Sequence, residues 1–289
     1  MKLRAKFNVT IIAAFAIGYV GIGVLLNSLF IADARRDVLE NARVMMSAAN
    51  AVKGYTDSEI VPLLAAGSQT TFQPAAIPFF AAKRTFERMR KTFSNYALVE
   101  TALNPTDLED RPTDWQADFI QHFRNQPRTT ELIGTRDTLT GEALNLAEPI
   151  SVSDVSCLAC HSSPSVAPAS MIAKYGASNG FGWKLHEIVG AQIVSVPMAV
   201  PLTKAHTAFV YVMAALLVMF LVVLVIINVL LHYVIIKPVV TVAGIAEAVS
   251  LGRADVEEFE PKGNDEIASL AASFARMRRS LDSALQMLQ

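Results

Sequence analysis

Two stretches, residues 7–31 and 207–236, contain no Asp, Glu, Lys or Arg and are dominated by Ala, Ile, Leu, Val, Phe and Met. Each exceeds the roughly 20 apolar residues that a helix needs to cross a bilayer, so both are predicted to be transmembrane. Between them the pattern shortens. Ala42, Met45, Ala49 and Val52 recur at steps of three and four, which continues the first helix with one apolar face. Residues 67–78, with Gly67, Pro74 and Pro78, are expected to form a loop. Residues 79–93 read as a basic amphipathic helix, with Phe79, Ala82, Phe86 and Met89 on one side and Lys83, Arg84, Arg88, Arg90 and Lys91 outside it. Residues 96–103 are strand-like and end at the Asn104-Pro105 turn signal, and Thr113-Asp114 opens a short helix carrying Trp115, Phe119 and Phe123. Residues 129–136 and 142–152 predict a β-hairpin, 171–175 a turn or two of helix, and 188–198 a last apolar strand. The expected fold of this segment is α+β, one antiparallel sheet backed by helices.

Past the second apolar stretch, Ile267, Leu270, Phe274, Met277, Leu281, Ala284 and Leu288 alternate by three and four, a sustained heptad seam. Residues 239–251 carry Val242, Ile245 and Val249 at similar spacing, and the polar stretch 252–263, broken by Pro261, links the two. Short helices that cannot bury their stripes alone imply a parallel homodimer forming a four-helix bundle. Asn228, inside the second span, is expected to bond either to its mate in such a dimer or to a neighbouring carbonyl.

Charge sets the orientation. Lys2, Arg4 and Lys6 precede the first span with no acidic residue, which favours an N-terminus in the cytoplasm. Four segments follow: a transmembrane helix at 7–31, an external domain at 33–203, a second transmembrane helix at 207–236 and a cytoplasmic tail at 237–289. Ala32-Asp33-Ala34 has the look of a cleavage site, but the apolar run before it is about twice a signal-peptide core, so an uncleaved anchor is expected. Hydrophobic residues make up 52% of the chain and the mean hydropathy is +0.37, both pointing to a membrane partner. The net charge of -1, from 25 basic and 26 acidic side chains, argues against a nucleic-acid partner.

The chain has 2 cysteines, and both stand in Cys157-Leu158-Ala159-Cys160-His161. Cys-x-x-Cys-His is the attachment signature of a c-type haem. Two thiols three positions apart can each join one vinyl group, and the histidine after them can offer a nitrogen to the iron as proximal ligand. Half of a zinc site, a redox dithiol and a plain disulfide are the alternatives. The other histidines (His122, His186, His206, His232) are too scattered to complete a zinc site. Met45 or Met46 is the candidate distal ligand, since thioethers pair with histidine on haem iron, and His122 is the second choice. One or two cations of residues 79–93 could neutralise haem propionates. No acid/base constellation accompanies the motif, so no enzymatic activity is expected.

The order of Phe72-Gln73-Pro74, Asn104-Pro105, Ala147-Glu148-Pro149-Ile150, Cys157 to Ser162, Ala167-Pro168, Gly180-Phe181-Gly182-Trp183, Gly190 and Val196-Pro197 resembles a bacterial family of PAS-like haem c sensor domains. The resemblance spans about residues 40 to 200. It implies one covalent haem c in a PAS-like pocket, with Cys157 and Cys160 as attachment points and His161 as proximal ligand. Some relatives use a further cysteine as distal ligand, and this chain has none to spare. The tail resembles a HAMP linker, including Pro238 and Asp265-Glu266. Together these imply a sensor in the bacterial inner membrane, its haem domain periplasmic and its HAMP dimer cytoplasmic. Redox state or a small ligand would be relayed to a separate cytoplasmic signalling protein such as a kinase. The alternative is a membrane-anchored c-type cytochrome carrying electrons.

Overall fold

The computed structural model describes residues 3–64, 72–139, 141–251, 253 and 265–287. It divides into two compact units, Leu25–Phe209 and Met1–Val24 with Val210–Gln289.

Helix α1 (Leu3–Tyr55) belongs to the first unit from Leu25 onward. Neither proline nor glycine interrupts it between Gly23 and Gly54, so nothing breaks the hydrogen-bond ladder. A π-helical turn, Thr56–Ile60, then leads into α2 (Val61–Leu64), and the Thr56 hydroxyl donates back to the Val52 carbonyl. Helix α3 (Pro78–Met89) starts on Pro78, whose missing N–H costs nothing in a first turn. Strand β1 (Ala97–Ala102) and helix α4 (Asp114–Asn125) follow, the helix started by a capping box between Thr113 and Gln116. Strands β2 (Leu132–Thr138) and β3 (Gly141–Ser151) form the expected hairpin with a tighter turn. Two short helices, α5 (Leu158–His161) and α6 (Ala169–Tyr175), precede strand β4 (Ile188–Pro197).

The sheet is antiparallel, in the order β1-β4-β3-β2. Both faces of its centre are covered, which is why β4 reads as a nearly unbroken apolar run and β3 is buried without a break from Ala143 to Ala147. On one face Leu98, Leu146 and Val194 share a rung, with Leu144 and Val196 beside it. They pack under Val38, Ala42, Met46 and Ala49 of α1 and Ala82 and Phe86 of α3. On the other, Ala147, Ala191 and Ile193 meet Ile120 and Phe123 of α4. Trp115 and Phe119, expected to lead the buried stripe of α4, pack only at the edge of that cluster, and Ile120 takes the centre. The apolar arc of a helix is wider than three aromatic positions, and the sheet chooses which part of it to cover.

One rung further along the α1 face the chemistry changes. Glu100, Gln192 and Glu148 are register partners across β1, β4 and β3. The Lys53 ammonium of α1 lies 3.5 Å from the Glu100 carboxylate, donates to the Gln192 amide oxygen and sits 4.5 Å from the Phe79 ring centre. Asn50 donates to Glu148 at 3.3 Å. Beyond this rung, Gly190 lets β1 approach: a Cβ there would lie 2.2 Å from the Thr101 carbonyl oxygen.

In the second unit, α7 (Ala199–Leu230, from Val210 onward here) passes through a π-helical turn, Leu231–Ile236, into α8 (Lys237–Ser250), and α9 (Glu266–Met287) follows. The two apolar stretches lie on helices long and apolar enough to cross a membrane, with mean hydropathies of 2.4 and 3.2 in their most apolar windows. Phe15 stacks on Phe220 at 3.6 Å, and the Tyr19 hydroxyl donates to the Met213 carbonyl at 3.1 Å. Asn228 bonds within its own chain, donating to the Leu224 carbonyl at 2.9 Å and accepting from Asn8 at 3.0 Å. Val242 of α8 and Ala268 and Ala271 of α9 are buried, while the seam positions Leu270 and Met277 stay exposed. The expected linker 252–263, apart from Arg253, and Leu288 lie outside the described residues, as do residues 67–71 of the expected loop.

Candidate functional site

The site lies at the end of the sheet where β1 and β3 leave and β4 enters. After β3, the Asp154 carboxylate accepts from the Ser156 N–H at 2.7 Å, which starts a 3₁₀ turn, Val155–Cys157, that runs directly into α5. Hydrogen bonds from the Ser156 side chain and then from its N–H hold the Asp154 carboxyl below its ordinary range. Cys157 and Cys160 are therefore three positions apart on continuous helical turns, a spacing that puts both side chains on one side. Both are free thiols, half-buried. Burial, and then the neighbouring Cys157, push the Cys160 thiol up, so it is held as S–H.

His161 closes the same turn. Its Nδ1 is 2.8 Å from the Gly180 carbonyl oxygen. A carbonyl can only accept, so Nδ1 carries the proton and the Nε2 lone pair is left available. Burial lowers the imidazole pKa, partly offset by the Gly180 bond, which keeps the ring neutral as a ligand requires. Trp183 stacks flat on it, with ring centres 4.0 Å apart and planes 11° apart. The two backbones are also tied, Gly182 N–H to the Ser162 carbonyl at 3.1 Å and Trp183 N–H to the His161 carbonyl at 3.3 Å.

The segment that carries Trp183 needs its glycines. Gly180 and Gly182 have φ of +82° and +80°, a region that costs other residues about 1–2 kcal/mol. Gly180 is crowded as well: a Cβ would fall 2.3 Å from the Thr106 hydroxyl oxygen and 2.8 Å from Thr106 Cα. From the other side Asn104 accepts from the Gly180 N–H at 3.1 Å and donates to the Phe181 carbonyl at 3.1 Å. Val152 closes the cradle below, bonded to Glu187 and His186 by its N–H and its carbonyl.

The structure thus brings Cys157, Cys160 and His161 onto one turn. Met46 is fully buried in the core cluster under α1, Met45 packs partly buried against it, and that cluster includes none of the three motif residues. His122 is half-buried near the end of α4. Of the cations considered for propionates, Lys83 is bound to Asp110 at 2.5 Å, and Arg84 to Glu87 at 2.6 Å with the Phe80 ring beside it. Arg88, Arg90 and Lys91 are exposed. Two features were not legible beforehand. One is that the Asn104 turn and the Gly180–Trp183 segment meet around His161. The other is the buried Lys53–Glu100–Gln192 group, whose signal was only a charged and an amide residue inside otherwise apolar strands.

The Nε2 of His161, the two free cysteines on the adjoining helical turns and the stacked, hydrogen-bonded imidazole are a donor set that fits a haem bound through this motif. The family described as Tll0287-like (Tll0287) matches residues 31–197, and the HAMP domain matches residues 230–283. A solved structure, "Crystal structure of the cyanobacterial heme-protein Tll0287", is similar at 16% identity, covering 55% of this chain and 94% of its own, with a TM-score of 0.43. No curated protein matches the chain. With more than half of its length accounted for by one family model, the chain belongs to the Tll0287-like family, and a HAMP domain follows that region.

Proposed function

We propose that the chain is a membrane-bound receptor carrying one covalent haem c on its external domain and relaying its state through the second span to a HAMP homodimer. Cys157 and Cys160 would hold the haem, each thiol adding its sulfur and hydrogen across one vinyl double bond, an addition that needs no oxidant. His161 offers Nε2 to the iron, while Gly180 holds Nδ1–H and Trp183 fixes the ring plane. The bound haem supplies an iron that cycles between ferric and ferrous and binds small ligands such as O₂, NO or CO. Met45 or Met46 is the candidate for the distal position, and Met45 is the less buried of the two.

The observation that carries this reading is the tautomer of His161. Its one committed nitrogen leaves the other free, on the turn that holds both thiols. The backbone offers a short route outward, because β4 ends at Pro197 and α7 starts at Ala199 and continues to Leu230. The domain is placed periplasmic, the HAMP domain cytoplasmic, and a separate signalling protein such as a kinase takes the output. Family and HAMP domain together point to signalling rather than catalysis.

The test is a haem stain of the denatured, solvent-extracted polypeptide, with an alkaline pyridine spectrum. Wild type retains colour as a bis-thioether haem. Cys157→Ser and Cys160→Ser each shift the spectrum towards a single thioether, and the double variant loses the stain. A colourless wild-type band refutes the proposal. In native, undenatured ferric protein, Met45→Leu and Met46→Leu assign the distal position, since only the ligating residue removes the weak long-wavelength band of thioether-bound haem. If both keep an unchanged spectrum, neither methionine is the ligand.

A further inference from the structure

Two short stretches near the motif have no part in attaching a haem: Asn104, at the exit of β1, and the Gly180–Phe181 peptide. The structure joins them. The Asn104 side chain accepts from the Gly180 N–H and donates to the Phe181 carbonyl, both at 3.1 Å. It therefore grips the peptide units on either side of the one whose carbonyl accepts the His161 Nδ1–H at 2.8 Å. Thr106, two residues on, fills the space where a Cβ of Gly180 would be. Gly180 is buried between half-buried neighbours, Asn179 and Phe181; without the clamp its carbonyl would be free to turn, and the imidazole would follow it.

We propose that Asn104 is a positioning residue for His161. By clamping the backbone on both sides of the Gly180 carbonyl it sets the direction and strength of the Nδ1–H bond, and so the donor strength of Nε2. An outer hydrogen bond of this kind fixes the tautomer of a ligating histidine and raises its basicity. A more basic imidazole favours the ferric state. Loosening the clamp therefore moves the midpoint potential upward. The inference rests on the haem reading of His161, but the clamp exists in the polypeptide and can be tested without haem.

The experiment compares the full chain in detergent with Asn104→Ala, Asn104→Asp and Thr113→Ala. Asn104→Asp keeps an acceptor for the Gly180 N–H and loses the donor to Phe181. Thr113→Ala removes the α4 capping box and serves as a destabilised control that leaves the cradle intact. Three readouts are taken. In haem-loaded protein these are the midpoint potential and the ferrous iron–histidine stretching frequency. In protein expressed without haem attachment it is the nitrogen chemical shifts of the His161 ring. The expected result is a more positive potential and a lower stretching frequency for Asn104→Ala, with Asn104→Asp intermediate and Thr113→Ala unchanged. In haem-free protein, His161 passes from a single Nδ1–H tautomer in wild type to a mixture in Asn104→Ala. An unchanged tautomer together with an unchanged potential overturns the proposal, even if Asn104→Ala lowers Tm as Thr113→Ala does. If wild type takes up no haem, the haem reading fails, and the tautomer measurement alone decides for or against the clamp. If Asn104→Ala does not fold, Asn104→Asp is held to the same standard.

Discussion

Replacing Glu100 by glutamine removes a carboxyl group that the fold keeps only 9% exposed beneath α1. Burial raises its pKa from 4.5 to about 7, against the pull of the Lys53 ammonium. Desolvation wins because the ammonium stands 3.5 Å away, at the outer limit of a hydrogen bond, and itself donates to Gln192. At about 1.4 kcal/mol per pH unit, the ionised carboxylate is about 3 kcal/mol less favourable in the domain than in the unfolded chain. The folded state holds this proton more tightly. The stability that goes with it is fully present below pH 4.5 and is lost as the pH rises through about 7. Wild type is therefore expected to lose up to about 3 kcal/mol across that window from this one group. Glu100→Gln should lack the decline. Its Lys53, lowered by burial and no longer held up by the Glu100 carboxylate, titrates lower still, so the variant gains stability towards alkaline pH. Urea unfolding of the purified chain in detergent, followed by tryptophan fluorescence at several pH values from acid to mildly alkaline, measures both slopes. Parallel stability curves for wild type and Glu100→Gln would refute the reasoning.

Two further outcomes are expected. Gly180→Ala combines the strain of φ +82° with contact against Thr106, so it should cost about 2–5 kcal/mol and impair haem loading. Gly176→Ala, at φ +85° and ψ 179° but with nothing within 4 Å of its Cβ, should cost only the backbone strain, about 1–3 kcal/mol; equal losses of Tm in the two variants would refute the crowding argument. Cysteine cross-linking along residues 267–288 in oxidised, reduced and NO-treated membranes should give patterns that differ, and three identical patterns would remove the signalling reading while leaving the haem in place. A bundle with two packings a few kcal/mol apart needs only a small bias to change its pattern.

Much of this protein follows from near neighbours along the chain. A long uncharged run, a three-and-four spacing, a proline or a Thr-x-x-Gln box are short-range properties, so the membrane-length helices, α3, α4, the hairpin and the heptad helix α9 could be read directly from the sequence. The gathering of Cys157, Cys160 and His161 on continuous helical turns likewise follows from a spacing of three residues and one. Helix α1 was legible through Val52 from its stripe, but the π-helical turns at Thr56–Ile60 and Leu231–Ile236 were not, because one extra residue in a turn leaves no mark in composition.

The tertiary structure alone decided what depends on register between distant segments. It put β4 between β1 and β3, aligned Glu100 with Gln192 and Glu148, and turned Ile120 rather than Trp115 to the centre of the core. It paired Asn228 with Asn8 and brought Asn104 to Gly180. A strand shifted by one residue would present the opposite set of side chains to each face. Such partners are therefore selected by the packing of the whole sheet against its helices, which no local window of sequence contains.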